Sequence, residues 1–374
     1  MRILVIANIP PFVKGGAETQ ARLLAEEFIA LGHSVTVAGH EIPDKKLSDD
    51  YLFDATHIST FRATKFTRGV SYFFSLAWLI FRNRNKFDVI YCRFLGETAL
   101  SVCLVKHILK LDIALIPCTA CAGRMGDAEY IKQFPFQKYL INLINRQCSA
   151  INNISPEIGN ELTSLGVNPR LLNFLPNGIR INNVKPKKSI STIRKLVYLG
   201  RLTPQKAIPY LLDAVNLLTS RGEKLELYII GDGPDREKLE EYTQLSHLSE
   251  YVYFCDHIDN KLIVEHLSSY DIFVLPSLYE GFATATIEAM LAGLPAVVTI
   301  SGGPNYFVDD SVGRLCQPGD AKSLATALSE LIRMNDTELL EMGARGQQRV
   351  IDKFNIKTIA KDYIKLFNQL VNKA

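Results

Sequence analysis

The chain lacks the features that mark several large classes of protein. Its 42 Lys and Arg residues are nearly balanced by 39 Asp and Glu residues, leaving a net charge of +3, and no long basic run occurs. We therefore expect no nucleic-acid partner, because phosphate binding requires concentrated positive charge. The seven cysteines are scattered, and only Cys118 and Cys121 have a CxxC spacing. Reduced thiols in a cytosolic protein are expected, rather than disulfides or a zinc site.

No apolar run reaches the length of about 20 residues that a membrane-spanning helix needs. The longest, residues 70–81, is followed and preceded by basic residues, so that the whole basic-flanked segment covers residues 62–86. Two interpretations remain open: a core helix between two strands, and a helix lying on an anionic membrane surface. Both hold if one face packs and the other docks. Residues 1–12 lack the layout of a signal peptide and predict a first strand instead.

The length of 374 residues exceeds what one core usually supports, so two domains are expected. Apolar runs of strand length alternate with amphipathic segments in both halves, which predicts doubly wound parallel sheets. A polar, basic and aperiodic segment near 178–194 separates the halves and predicts the linker. We predict domains over residues 1–180 and 181–355, and a last amphipathic helix over residues 356–374.

The stretch from residue 272 to residue 299 predicts a strand, a loop, a helix and a second strand. Residues 272–275 suit a strand that is buried on both faces, and Thr284 is available to cap the helix. Glu280 lies in the loop and Glu288 in the helix. A helix N-terminus beside a loop at the carboxyl end of a parallel strand is where such sheets bind anionic ligands.

Three further segments have residues suited to phosphate groups. After the first strand, Gly15 and Gly16 allow close backbone approach to a phosphate or sugar, although a tight turn without a ligand explains them equally well. Neither this loop nor its neighbourhood has the GxGxxG pattern and distant acid of a dinucleotide-binding oxidoreductase. In LGRLTPQKA, Arg201 and Lys206 place two cations just past a strand, which suits a diphosphate. In IIGDGP, Gly231 supplies turn geometry.

The string over residues 272–299 resembles the signature of the retaining glycosyltransferases of family 4. It contains PSxxEGF, seven residues between the two glutamates, and EAMxxGxPxVV. The LGRL, GDGP and SGGP segments resemble further motifs of the same family. The resemblance implies an α/β fold of GT-B architecture, in which two Rossmann-like doubly wound domains face a central cleft. It also implies that the final helix packs back on the N-terminal domain.

The resemblance assigns roles to particular residues. Arg201 and Lys206 would grip the donor's diphosphate, Glu280 the hydroxyls of the donor sugar, and Glu288 the ribose. The catalytic residues expected on this basis are Glu280, Arg201 and Lys206, and the residues expected to bind the nucleotide sugar are Gly15, Gly16, Gly231, Gly281, Phe282 and Glu288.

The sequence departs from the family pattern at several positions. Ala207 replaces a usual glycine, and Tyr306 stands where an acidic residue is common. The strand before His257 and Ile258 lacks the usual terminal glycine, which leaves base contacts by these two residues open. Residues 117–127 lack the sugar-facing His of many members. The acceptor-side candidates there are Thr119, Arg124 and Asp127.

The expected function is therefore a retaining hexosyltransferase that uses a UDP- or GDP-linked sugar. The acceptor would be a glycan or a lipid-linked molecule, in the cytoplasm or at the inner face of the plasma membrane. No D-x-D sequence was found on a suitable loop, so metal-independent binding by Arg and Lys is expected, with no cofactor. Two alternatives remain: an epimerase or hydrolase of GT-B architecture, and a degenerate paralogue that binds nucleotide without catalysis.

Overall fold

The chain folds into two α/β units, as its length and alternating pattern predicted. The computed structural model describes residues 1–13, 15–43, 52–61, 64–121, 123, 126–182, 184–256, 258–260 and 262–372. The N-terminal unit comprises Met1–Gly178 together with Ile356–Ala374, and the C-terminal unit comprises Ile179–Asn355. The last helix thus belongs to the N-terminal unit.

The described part of the N-terminal unit contains a seven-stranded, fully parallel sheet. Its strands are β1 (Arg2–Ile6), β2 (Ser34–Gly39), β3 (Asp54–His57), β4 (Val89–Arg93), β5 (Ala114–Cys118), β6 (Ile151–Asn153) and β7 (Leu172–Phe174). Its helices are α1 (Gly16–Ala30), α2 (Lys65–Arg82), α3 (Glu97–Leu109), α4 (Asp127–Lys132), α5 (Gln137–Gln147), α6 (Pro156–Leu165) and α13 (Ile356–Val371). The strand order is β3-β2-β1-β4-β5-β6-β7, with a helix between β1 and β2 and one or two helices in each connection after β3.

The C-terminal unit has a six-stranded parallel sheet in the order β10-β9-β8-β11-β12-β13. Its strands are β8 (Arg194–Leu199), β9 (Leu225–Ile230), β10 (Val252–Cys255), β11 (Ile272–Leu275), β12 (Ala296–Thr299) and β13 (Gly313–Cys316). Its helices are α7 (Ile208–Ser220), α8 (Arg236–Leu245), α9 (Ile263–Leu267), α10 (Thr284–Leu291), α11 (Ala321–Arg333) and α12 (Asp336–Lys353). The two doubly wound parallel sheets predicted from the sequence are confirmed.

The direction in which strands are added reverses between neighbouring strands in each sheet. The reversal lies between β1 and β4 in the N-terminal unit and between β8 and β11 in the C-terminal unit. The loops that leave the carboxyl ends of such strands run apart and leave a crevice, where doubly wound sheets bind ligands. In the C-terminal unit these are the loops that hold Arg201, Lys206 and Glu280.

Sequence reasoning missed β3 and α4. The four residues of β3 are exposed or half-buried, because the strand forms the edge of the sheet and pairs with β2 alone. They therefore carry no apolar alternation that would reveal a strand. Helix α4 has only six residues and is too short to show a helical period.

Helix α13 completes the hydrophobic core of the N-terminal unit. The rings of Tyr363 and Phe367 lie 6.2 and 5.6 Å from that of Phe28 in α1, and the ring of Tyr363 lies 5.5 Å from that of Tyr91 in β4. The amide Nδ2 of Asn152 donates a hydrogen bond of 2.7 Å to the hydroxyl of Tyr363. The end of the chain is therefore tied to the sheet by both aromatic and polar contacts.

Substitution of Phe367 by Ala tests whether the N-terminal unit depends on α13 for its stability. The side chain is fully buried, so its removal leaves a cavity and should lower the free energy of unfolding of the N-terminal unit by about 3–5 kcal/mol. Urea unfolding followed by the fluorescence of the single tryptophan, which is Trp78 in this unit, measures the change. The exposed Leu245 in α8, substituted by Ala, is the control. A loss no larger than that of the control would contradict a core role for α13.

Candidate functional site

Two loops at the carboxyl ends of β8 and β11 form the centre of the candidate site. They are residues 200–206 and residues 276–283, and they are called the switch-point loops below. The strands they follow are direct neighbours in the sheet. The backbone N–H of Leu278 donates to the carbonyl of Gln205 (2.9 Å), and the Gln205 side chain donates to the carbonyl of Tyr279 (2.8 Å). These two hydrogen bonds hold the loops against each other.

Lys206 and Glu280 form an ion pair between the switch-point loops. The Lys206 ammonium contacts Oε1 of Glu280, which also accepts a hydrogen bond of 2.6 Å from the Ser277 hydroxyl. Glu280 is buried, and Lys206 is half-buried at the end of a short 3-10 turn. The ammonium is therefore fixed in position rather than free in solvent. Arg201, in the same loop as Lys206, has an exposed side chain.

The loop after β12 clamps Glu280 from the other side. The backbone N–H of Glu280 donates to the carbonyl of Ser301 (2.7 Å), and the N–H of Gly303 donates to the carbonyl of Glu280 (3.1 Å). A Cβ atom at Gly303 would lie 2.3 Å from the carbonyl oxygen of Gly281 and 2.6 Å from Cα of Phe282. Only glycine permits this approach, so the second glycine of SGGP shapes the loop that contains Glu280.

The helix that follows Glu280 begins at Thr284, and the prediction that Thr284 caps it is wrong. Thr284 is the first helical residue, and the preceding Ala283 has a left-handed backbone (φ 61°) with no side-chain cap. The backbone N–H groups at the start of α10 are thus not taken by a capping side chain, and they carry the positive end of the helix dipole. The side chain of Phe282 is buried against Phe307 and Phe354 (5.3 and 5.6 Å between ring centroids). Only the backbone of Phe282 is left to face a ligand.

Glu288 lies in the middle of α10 and is half-buried. Burial raises the pKa of its carboxyl group from the ordinary 4.5 to about 7. A carboxyl group with such a pKa is frequent at binding and catalytic sites, because burial without a fixed cation is otherwise unfavourable. Near neutral pH the group is divided between a hydroxyl-accepting carboxylate and its protonated form.

Gly231, predicted to bind the ligand, has a structural reason to be glycine. Its backbone has a φ of +138°, and a Cβ atom there would lie 2.0 Å from the carbonyl oxygen of Gly200. The neighbouring Gly233 is equally close to the carbonyl oxygen of Leu202, at 2.2 Å from a Cβ. The GDGP turn therefore packs directly under the first switch-point loop and supports it.

The N-terminal unit has its own cavity, of about 310 Å³, at the carboxyl ends of β1, β2 and β4. Gly15 has an extended backbone and directly precedes Gly16, the first residue of α1. A Cβ atom at Gly15 would lie 2.2 Å from an oxygen of the Glu18 carboxylate. Glu18 lines this cavity. The cavity and the switch-point loops belong to different units, so Gly15 and Gly16 are placed only within the N-terminal unit.

Asp127 lines the same cavity and holds the loops around it. Its two oxygens accept hydrogen bonds from the backbone N–H groups of Leu95 (2.7 Å) and Ala120 (3.1 Å), and burial raises the pKa of its carboxyl group. Thr119 is buried and donates to the carbonyl of Asn152 (3.3 Å), which is a structural contact. Arg124, the third acceptor-side candidate, and His257 lie outside the described residues.

Sequence reasoning missed Arg93, at the end of β4. Its guanidinium is buried and donates from Nη1 to the hydroxyl of Tyr91 (3.2 Å) and to Sγ of Cys118 (3.1 Å). Its Nε and Nη2 have no hydrogen-bond partner among the described residues. The available signal was an Arg that ends a buried apolar strand, where a charge is rare unless it is used or compensated.

Comparisons with known proteins cover both units. The family model described as glycosyl transferases group 1 matches residues 193–334, and the model described as glycosyltransferase family 4 matches residues 14–183. An uncharacterized glycosyltransferase of Methanocaldococcus jannaschii is 24% identical, over 98% of each chain. The gpi3 subunit of the phosphatidylinositol N-acetylglucosaminyltransferase of Schizosaccharomyces pombe is 25% identical, over 85% of this chain and 70% of its own. Matches to five further curated relatives span only 39–51% of those proteins.

Solved structures with a similar fold over nearly the whole chain are known. Sucrose-phosphate synthase from Thermosynechococcus elongatus has a TM-score of 0.80 at 19% identity, with both chains covered in full. Anabaena HepE in complex with UDP and glucose has a TM-score of 0.77 at 18% identity, over 99% of this chain and 100% of its own. At these identities the likeness shows the fold.

Substitution of Glu288 by Gln tests the burial of its carboxyl group. A pKa raised on folding means that ionisation opposes folding, so the cost is absent below the unfolded pKa of about 4.5 and grows as the pH rises towards 7. The variant should therefore be more stable than the wild type by about 1–3 kcal/mol near pH 8 and nearly equal to it near pH 4. Urea unfolding at both pH values measures the difference. The exposed Glu241, substituted by Gln, is the control, and a Glu288 variant that matches it at both pH values would contradict the burial.

Proposed function

Because the chain belongs to glycosyltransferase family 4, the group 1 glycosyltransferases, and has the GT-B fold, we propose that it transfers a hexose-type sugar from a nucleotide-diphosphate sugar. The acceptor is a glycan or a lipid-linked molecule in the synthesis of a surface polysaccharide or glycolipid, at the cytoplasmic face of the membrane. The observation that carries the proposal is the fixed Lys206–Glu280 pair beside the start of α10, at the switch point of the C-terminal sheet.

The switch-point loops offer the donor's diphosphate three sources of positive charge. Lys206 supplies a fixed ammonium, the exposed Arg201 supplies a planar fork for bidentate hydrogen bonds, and the start of α10 supplies backbone N–H groups. These groups stabilise the negative charge that develops as the diphosphate leaves. We propose on this basis that transfer does not depend on a divalent metal ion. HepE, the Anabaena neighbour, was solved with UDP and glucose, and a UDP-linked donor is the first choice to test.

Glu280 and Glu288 accept hydrogen bonds from hydroxyl groups of the donor. Glu280 keeps one carboxylate oxygen, Oε2, outside its contacts with Lys206 and Ser277, and this oxygen can accept from the sugar. Glu288, eight positions further on in α10, accepts from the ribose. Both acceptors are held by buried backbone, so they orient the donor before the reaction begins.

Retention of configuration follows from attack on the face that the diphosphate leaves. The acceptor oxygen forms a bond to the anomeric carbon as the bond from that carbon to the diphosphate oxygen breaks, and the acceptor's proton passes to the departing phosphate oxygen. Glu280 serves the donor through hydrogen bonds, since its carboxylate is engaged with Lys206 and no enzyme–sugar bond is part of the proposal.

Binding of the donor nucleotide provides the first test. Calorimetric titration with UDP, GDP, ADP and dTDP in the presence of EDTA should show one preferred nucleotide. Substitution of Arg201 or Glu288 by Ala should weaken its binding about tenfold or more, since each loses a charged hydrogen bond worth about 1.5–3 kcal/mol. The exposed Lys238, substituted by Ala, is the control. Wild-type protein that binds none of the four nucleotides would argue against the donor site and for a degenerate paralogue.

Substitution of Lys206 by Ala tests the leaving-group role. The variant should lose about 100- to 1000-fold in kcat, because charge stabilisation at an oxyanion is worth about 3–4 kcal/mol. Release of nucleotide from the preferred donor, with and without acceptor, measures turnover, and NMR of the product gives its anomeric configuration. A product of inverted configuration would contradict the retaining mechanism. A variant with unchanged kcat would remove Lys206 from catalysis.

A further inference from the structure

The outward face of α2 is apolar and exposed. Val70, Phe74, Trp78 and Phe81 follow one another at spacings of four, four and three residues, which places them on one side of the helix. Phe74 and Trp78 are 66% and 62% exposed. A continuous exposed stripe of large apolar side chains on a folded domain marks an interaction surface rather than chance.

The opposite face of α2 explains how the helix is held. Tyr72, Leu76 and Ile80 are buried, and the Tyr72 hydroxyl lies 3.1 Å from the Thr98 hydroxyl in α3. Thr64 and Thr67 form a complete capping box at the start of the helix. The inner face and the cap account for the fold of α2, so the aromatic stripe is not required for packing within the unit.

The charged residues of the segment that contains the stripe all have one sign. Residues 58–86 contain six Lys and Arg residues and no Asp or Glu. Among the described side chains, Arg82 and Lys86 are exposed at the end of the helix, and the Arg84 guanidinium lies 4.7 Å from the centroid of the Phe81 ring. Arg68, near the start, is paired with Glu97 of α3 at 3.3 Å. Exposed cations thus lie at the C-terminal end of the apolar stripe, whereas Arg68 at its start is paired with an acid.

We propose that α2 docks the N-terminal unit on an anionic lipid bilayer, with Phe74 and Trp78 inserted at the level of the headgroups. Apolar insertion combined with cations at its edge is the pattern of helices that lie in a membrane surface. A second copy of this chain fits less well, because a symmetric pairing of the same face would bring cation against cation. Within the described residues, none of the helices has both the length and the apolar character needed to span a bilayer, so docking is peripheral.

If α2 docks on a bilayer, the acceptor of the proposed transfer is a membrane-anchored molecule. This inference rests on the proposed function. Tyr72, on the inner face of α2, and Glu97 and Thr98, at the start of α3, line the cavity of the N-terminal unit. The cavity is therefore separated from the bilayer by about one helix diameter, roughly 10 Å. An acceptor anchored in the membrane and carrying its sugar in the headgroup region reaches this cavity, whereas a soluble acceptor gains nothing from docking.

The test uses the single tryptophan of the chain, Trp78. Purified full-length protein is mixed with vesicles of phosphatidylcholine, with and without about 30% phosphatidylglycerol, at low and at high salt. Only the anionic vesicles at low salt should shift the emission to shorter wavelength, protect it from a soluble quencher and carry the protein down on sedimentation. The binding constant for anionic vesicles, measured by sedimentation, should fall at least tenfold in the double variant Phe74→Ser with Trp78→Ser. In the double variant Arg82→Gln with Lys86→Gln it should fall about fivefold for each charge removed.

Matched variants on the C-terminal unit control for nonspecific adsorption to the vesicles. Leu245→Ser with Tyr253→Ser, and Lys224→Gln with Lys238→Gln, remove exposed apolar and basic side chains there and should leave sedimentation unchanged. Equal loss in the control variants, or no binding of wild type to anionic vesicles, would overturn the proposal. A blue shift that grows with protein concentration without lipid, with a dimer in solution, would assign the face to a second copy instead. Nucleotide titration of every variant separates these outcomes from failure of the donor site.

Discussion

The ion pair between Lys206 and Glu280 is the interaction on which the candidate site depends. It joins the loops after β8 and β11, two strands that are neighbours in the sheet although the helices and strands of half the unit separate them in the chain. A buried carboxylate is stable only when its charge and its oxygens are satisfied. Lys206 and Ser277 meet that requirement for Glu280. The proposed phosphate-binding ammonium of Lys206 and the proposed sugar-binding carboxylate of Glu280 therefore fix each other's position.

Glycine is needed around this pair because backbone runs against backbone. Gly231 and Gly303 each bring a second loop within a distance that no Cβ atom tolerates, the first under the Lys206 loop and the second under the Glu280 loop. Both motifs are therefore supports whose glycines act through packing, although the sequence alone makes them resemble ligand contacts. The loops they support are the ones whose side chains and amides face the crevice.

Sequence patterns predicted the two sheets and named the charged residues of the candidate site, and they failed where the outcome depends on tertiary pairing. The parallel sheets followed from long apolar runs, and Arg201, Lys206, Glu280 and Glu288 followed from a long motif. Thr284 has the composition of a cap, but the left-handed backbone of Ala283 starts the helix one residue earlier than a cap at Thr284 requires. The edge strand β3 and the buried charge of Arg93 were missed, because the sheet partners that explain them lie far away in the chain.

Helix α2 shows why a sequence cannot separate a core helix from a surface helix when most of its positions are apolar. Residues 70–81 have so few polar side chains that the helical period is hidden, and either face of the helix is a candidate for burial. Packing against the unit decides between the faces, since it buries Leu76 and Ile80 and leaves Phe74 and Trp78 in solvent. Charge then indicates the partner of the free face. Exposed cations lie at the C-terminal end of the stripe and residues 58–86 contain no acid, so an anionic surface suits both the apolar stripe and its basic edge.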